Sequence, residues 1–149
     1  FVNGEMQFKR SFDIGTIRIL KQQVTDDQWA EMKEYIRSNT KGAKKVMAIG
    51  TGGNINKVFS LSKRKEGRPL PLELLRDYYK EFSSISLHER MSRYLMREDR
   101  ADVIVPALLI YINVLKWADA EEILVPKICL ADGLIHALYD ELVTNALKG

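Results

Sequence analysis

The chain has 149 residues, 46% of them hydrophobic and 29% charged, which suits one ordinary globular domain and excludes a disordered or low-complexity protein. Its net charge of +3 is too small an excess for a dedicated nucleic-acid binder, so DNA is not an expected partner. The one cysteine, Cys129, allows no intrachain disulfide and, between Ile128 and Leu130, reads as a small buried hydrophobe in a reducing compartment.

The opening Phe1-Val2-Asn3-Gly4 carries a hairpin signal, because Asn-Gly suits the two central positions of a type I′ turn. The strand before that turn is cut to two residues, so a partner strand is expected upstream. The first residues have neither the basic nor the apolar region of a signal segment. The longest apolar run, residues 103–112, is too short to span a bilayer, so a cytoplasmic location without a membrane partner is expected. Residues 7–12 and 16–20 predict strands, the second from the alternation of Ile17 and Ile19. Thr25 predicts a helix N-cap with Gln28 at the capping-box position, followed by Trp29, Met32 and Ile36 on one face. Gly42 falls where that helix has stopped. A strand over residues 46–49 then runs into Gly50-Thr51-Gly52-Gly53, and a helix follows over residues 54–61.

The second half predicts helices over residues 72–82, 86–95 and 99–117. Residues 66–71, with Gly67, Pro69 and Pro71, read as a connection between helices. The 99–117 segment is apolar enough to be buried on most sides, with a kink and a lost backbone hydrogen bond expected at Pro106. A short strand over residues 123–125 ends at Pro126. A last helix is expected from an N-cap at Asp132 to residue 147, with Leu134, Ile135, Leu138, Leu142 and Val143 along one side.

The stretch Val46-Met47-Ala48-Ile49-Gly50-Thr51-Gly52-Gly53-Asn54 carries the most chemistry. A buried strand, a glycine turn and a helix start together form a seat for an anion, since free amides and the helix dipole point the same way. Neither nucleotide fingerprint is met. Ile55 stands where the dinucleotide motif needs a third glycine, and Lys57 lacks the neighbours of a Walker lysine. A plain strand-to-helix turn remains the alternative. Asp99 reads as the cap of its helix, which leaves Arg100 at a positive helix terminus. An anion would explain that placement; an ion pair to Asp102 or another carboxylate is the alternative. Lys57, Lys63, Arg64, Lys65 and Arg68 form a basic cluster that also suits a solvated helix end, and Lys41, Lys44 and Lys45 read as surface charge. His88 and His136 have no second ligand at metal spacing, and His136 reads as a packed or rim residue. No nucleophile or general base stands out, so no catalytic or metal-ligating residue is nominated.

Four segments occur in order: Ser11-Phe12-Asp13-Ile14-Gly15-Thr16-Ile17-Arg18-Ile19, Ile49-Gly50-Thr51-Gly52-Gly53-Asn54, Asp99-Arg100-Ala101-Asp102-Val103-Ile104-Val105-Pro106-Ala107, and Asp132-Gly133-Leu134-Ile135. Together they resemble the second domain of the exopolyphosphatase/guanosine pentaphosphate phosphohydrolase (Ppx/GppA) family, over nearly the whole chain. The resemblance implies an α/β fold: residues 1–149 as an actin-like, ribonuclease-H-like lobe, lacking its first strand and phosphate loop, with a helix-rich C-terminal half. It implies a second lobe as partner, a cleft between the lobes that takes polyphosphate or phosphorylated guanosine nucleotides, and Mg²⁺ assisting cleavage of the terminal phosphoanhydride bond. Gly50, Thr51, Gly52, Gly53 and Asn54 would face that ligand, Arg100 would contact phosphate, and Arg18 would do so more weakly. The family's Asp-Gly-Gly-Gly-Ser phosphate loop and its carboxylate-bearing first lobe are not in this sequence. Asn54 stands where Thr is frequent, and Leu95-Met96 where a Gly-Leu pair is usual. The isolated chain is therefore expected to be inactive, with an open sheet edge through which it could form a homodimer. Two other functions fit less well: a non-catalytic sensor of alarmone or polyphosphate, and a helical interaction module.

Overall fold

A computed structural model describes residues 1–2, 5–126, 128 and 130–146. The hairpin turn expected at Asn3-Gly4, the cysteine at position 129 and the end of the last helix at residue 147 lie outside the described residues. Val2 and Glu5 face each other across an antiparallel bridge, with backbone hydrogen bonds of 2.9 and 3.0 Å.

The fold is a helix-rich α/β arrangement around one long helix. In chain order it comprises α1 (Thr16–Leu20), α2 (Asp26–Thr40), β1 (Ala48–Ile49), α3 (Gly53–Leu61), β2 (Leu70–Pro71), α4 (Leu72–Ser84), α5 (Leu87–Tyr94), α6 (Glu98–Ala118), β3 (Glu122–Leu124) and α7 (Leu130–Ala146). Helices α1 to α5 all pack against α6. The interior is built from Ile55, Val58, Phe59, Leu75, Phe82, Ile104, Leu108 and Leu115 with strand residues Leu70 and Ile123. Each such side chain contributes about 1.5–3 kcal/mol by leaving water. By length and composition α6 could cross a membrane, but its Ile104, Leu108 and Leu115 face this core. Helix α6 runs without interruption through Pro106, although the ring leaves the Asp102 carbonyl without its usual amide partner.

The sheet has the order β1-β3-β2, with β1 parallel and β2 antiparallel to the central β3. Ala48 pairs with Ile123 and Ile49 with Leu124. Strand β1 is shorter than residues 46–49 would give, and β2 was not expected. Leu70 pairs with Ile123 and Pro71 with Glu122. Proline is tolerated there because β2 is an edge strand and Pro71 closes it.

Residues 7–12 form no strand, and residues 16–20 form helix α1 instead. Neither segment pairs with a strand of the sheet. Phe12 packs edge-on against Tyr35 of α2 at 5.5 Å, and the Arg10 guanidinium lies 5.3 Å from both ring centres. Arg10 also pairs with Glu31. Side-chain docking on α2 thus replaces strand pairing. Helix α1 packs on α6, so tertiary contact overrides the β-branched character of Thr16, Ile17 and Ile19.

Helix α2 begins as its sequence dictates, with the Thr25–Gln28 capping box complete. Trp29 reaches Trp117 of α6 in an edge-to-face pair at 6.0 Å. Asp132 is not an N-cap but lies in the first turn of α7. On α7 Leu134, Ile135, Leu138, Tyr139 and Leu142 are exposed, and so is His136. The apolar side read from the sequence exists, but nothing among the described residues packs over it, so His136 is neither packed nor at a rim.

Candidate phosphate-binding site

Strand β1 delivers the chain to the glycine turn at its C-terminal end. Gly50 closes the strand ladder, its amide donating to the Leu124 carbonyl at 2.8 Å. A Cβ there would lie 2.6 Å from Ile123 Cδ1, so glycine at this position serves packing of the turn against β3. Its amide is taken, and the remaining loop residues carry the open donors. Gly52 caps α3 at φ 104° and ψ 166°, a region closed to side-chain-bearing residues. The amides of Thr51, Gly52 and Gly53 find no acceptor among the described residues, and all three residues are exposed. They stand at the positive end of α3, where the first amides of any helix lack intrahelical partners.

Arg100 comes to the same place from α6. That helix is capped by Arg97, not by Asp99; Glu98 and Asp99 fill its first turn. Arg100 Nη1 donates to Asn54 Oδ1 at 2.6 Å. The guanidinium lies so close to Gly53 that a Cβ there would fall 2.6 Å from Nη2 and 2.7 Å from Nη1. The expected alternative, an ion pair with Asp102 or another carboxylate, is not formed among the described residues. Neutralisation comes only from an amide oxygen, so the charge remains available. The N-terminus of α3 and the Arg100 cation, unpaired with any carboxylate among the described residues, meet at exposed amides, which is the electrostatic arrangement that favours a phosphate or carboxylate.

Tyr111, three turns further along α6, neighbours Ile55 and Arg100 at this corner although no local pattern marks it. Burial pushes its phenol up, an effect that the adjacent Ile55 backbone and the Arg100 charge only partly offset.

Arg18 is not brought to the loop. It stands on α1 and pairs with Asp13 at 2.6 Å. Lys57 does not extend the basic cluster either, because its ammonium donates to the Tyr94 carbonyl at 3.0 Å and the Leu95 carbonyl at 3.4 Å. It caps the C-terminus of α5, where a cation offsets the dipole, and holds the α5–α6 turn beside α3. Arg64 is likewise committed to a carbonyl, that of Pro69 at 2.8 Å.

No family model matches the sequence, and no curated protein is similar enough in sequence to rank as a relative. Solved structures do resemble the fold. An exopolyphosphatase from Cytophaga hutchinsonii superposes with a TM-score of 0.72 at 21% identity, over 93% of this chain and 51% of that one. A Ppx/GppA family member from Aquifex aeolicus gives 0.62 at 20% identity, over 91% and 47%. An exopolyphosphatase-like protein gives 0.64 at 16% identity, over 88% and 50%. The chain has the fold of one half of a Ppx/GppA structure. The resemblance carried by the four sequence segments is thus met by a backbone likeness, and the chain spans about half the length of the Ppx/GppA chains it matches.

Proposed function

We propose that this chain is one actin-like lobe of a phosphohydrolase that cleaves terminal phosphoanhydride bonds of inorganic polyphosphate or guanosine pentaphosphate. The observation that carries this reading is the Arg100 guanidinium, paired with no carboxylate among the described residues and set against Gly53 and Asn54 at the start of α3. In its proposed role the lobe binds and orients phosphate: the amides of Thr51–Gly53 and the Arg100 donors receive phosphate oxygens, and Asn54 holds the guanidinium in place. Arg18, in its pair with Asp13, contributes at most to the surrounding field.

Phosphoryl transfer depends on positioning and charge stabilisation supplied from both sides of the reacting group. Among the described residues there is no group of three or more His, Cys, Asp or Glu side chains suited to hold a metal ion. A Mg²⁺ ion in this reading would take its protein ligands from the second lobe, and the residues described here supply phosphate donors instead. The partner in this reading is a second lobe of the same protein, in keeping with the doubled length of the matching structures. The function of this chain by itself is phosphate binding without turnover.

Calorimetric titration with inorganic tripolyphosphate tests the binding half of the proposal. Saturable binding that weakens about tenfold or more in Arg100→Ala is expected, whereas equal affinity in the variant would remove Arg100 from the site. Phosphate release from polyphosphate by the chain alone, above the buffer rate, would contradict the division of labour between lobes.

A further inference from the structure

A hollow of about 410 Å³ opens on the flank of α6, between α1, α4 and α5. Its walls are mostly apolar, with Tyr79, Phe82 and Leu109 among them, and Ile19 and Leu20 of α1 form one side. Its volume falls in the range of small-molecule sites, which combine an apolar body with a few convergent polar groups. Gln22 and Ser83 are polar members of the lining, and two charged residues stand among it, Arg90 and Asp102.

These two charges do not neutralise each other. Arg90 Nη1 donates to the Ala101 carbonyl at 2.9 Å, and its Nε lies 3.5 Å from the Ser86 carbonyl. The first bond places the guanidinium one residue from Asp102. Yet neither residue forms an ion pair among the described residues. A cationic and an anionic residue therefore border one mostly apolar hollow without pairing with each other. A ligand that carries both signs of charge complements both the half-buried Arg90 and the exposed Asp102, whereas a singly charged one complements only one of them.

We propose that this hollow binds a small zwitterion with an apolar body, the chemistry of a free aromatic or branched-chain α-amino acid. Its carboxylate meets Arg90, its ammonium meets Asp102, and its side chain lies against Tyr79, Val105 and Leu109. The site is separate from the Gly50–Asn54 corner, and its occupancy does not depend on the phosphate reading.

The 149-residue chain is titrated with L-phenylalanine, 3-phenylpropionate and phenethylamine, followed by calorimetry and amide chemical shifts. Phenylalanine is expected to saturate at about 0.1–1 mM and both analogues to bind about tenfold more weakly. Arg90→Gln weakens phenylalanine about tenfold and leaves phenethylamine unchanged, while Asp102→Asn does the same and leaves 3-phenylpropionate unchanged. Arg90 also joins α5 to α6, so if Arg90→Gln fails to fold, Asp102→Asn and the hollow-filling Leu109→Trp decide. The latter abolishes phenylalanine binding and leaves tripolyphosphate binding intact. The proposal is overturned by absence of saturable phenylalanine binding, by equal affinity for the three probes, or by wild-type affinity in Asp102→Asn. It is also overturned if Leu109→Trp changes the sedimentation of the chain and not its phenylalanine affinity, which would assign the hollow to a second copy.

Discussion

Replacing Gly53 by alanine separates what the turn does for the fold from what it does for a ligand. The new Cβ would lie 2.6–2.9 Å from the Arg100 Nη2, Nη1 and Cζ atoms, nearly an ångström inside ordinary contact. Those atoms are the far end of a flexible side chain, so the guanidinium swings away and the backbone stays. The Asn54–Arg100 bond of 2.6 Å is lost, at a cost of about 1 kcal/mol for a half-exposed charged pair. Alanine at a helical position regains about 0.5–1 kcal/mol over glycine. The two nearly cancel, so the thermal midpoint should move by no more than about 4 °C. The ligand effect is not cancelled. Arg100 no longer reaches the amides of Thr51–Gly53, and tripolyphosphate affinity should fall by about 10–100-fold. Calorimetry at low salt and a thermal melt of Gly53→Ala, side by side, measure both quantities. Unchanged affinity would refute the assignment of the corner as an anion seat. A loss of stability above about 3 kcal/mol would refute the claim that Arg100 yields.

Gly52→Ala should behave in the opposite way: with φ at 104° and open space around its Cα, the cost is backbone strain of about 1–3 kcal/mol, read as a lower denaturant midpoint. Gly50→Ala drives a Cβ to 2.6 Å from the buried Ile123 Cδ1 and should cost about 1–3 kcal/mol through overpacking, with an unchanged salt dependence of anion binding. Glu89 is held below its ordinary value of 4.5 first by the Ser86 amide and hydroxyl, then by Arg93. A lowered carboxyl stabilises above its unfolded value and loses that contribution as pH falls through the folded one; Glu89→Gln should therefore match wild type in acid and fall behind it at neutral pH in urea unfolding. Tyr94 donates its hydroxyl to Glu81, and this bond, with burial, pushes its phenol up to about 12. The contribution of a raised group is complete below its ordinary 10.0 and disappears as pH climbs to about 12, so the stability gap between wild type and Tyr94→Phe should narrow across that window.

What the sequence revealed depended on how local the determining physics was. The capping boxes at Thr25 and at Ser86 involve residues three apart, and both helix starts follow from the chain alone. The amphipathic and buried helices α3, α4 and α6 were legible for the same reason, since a 3.6-residue period is written in consecutive positions. Strand β2 was hidden because two residues carry no period and Pro71 argued against pairing. The 16–20 segment misled because two β-branched residues in alternation fit a strand, and only the packing of α1 on α6 decides for a helix. At the site, the glycine turn and Arg100 were visible as residue types. Their meeting across 46 positions of chain, the engagement of Lys57 with α5, and the presence of Tyr111 depend on how α3, α5 and α6 lie together, which no local pattern records. Arg18 was carried in by a motif, and its ion pair with Asp13 keeps it elsewhere.

One consequence of α6 concerns how the molecule comes apart. The sheet contributes only two or three residues per strand, so no separate β layer can persist once the long helix is disturbed. Peeling any of the five surrounding helices away uncovers part of α6. Amide deuteration should accordingly reach the middle of residues 98–118 last and by whole-molecule melting, while the unclad stretch 130–146 exchanges freely beforehand.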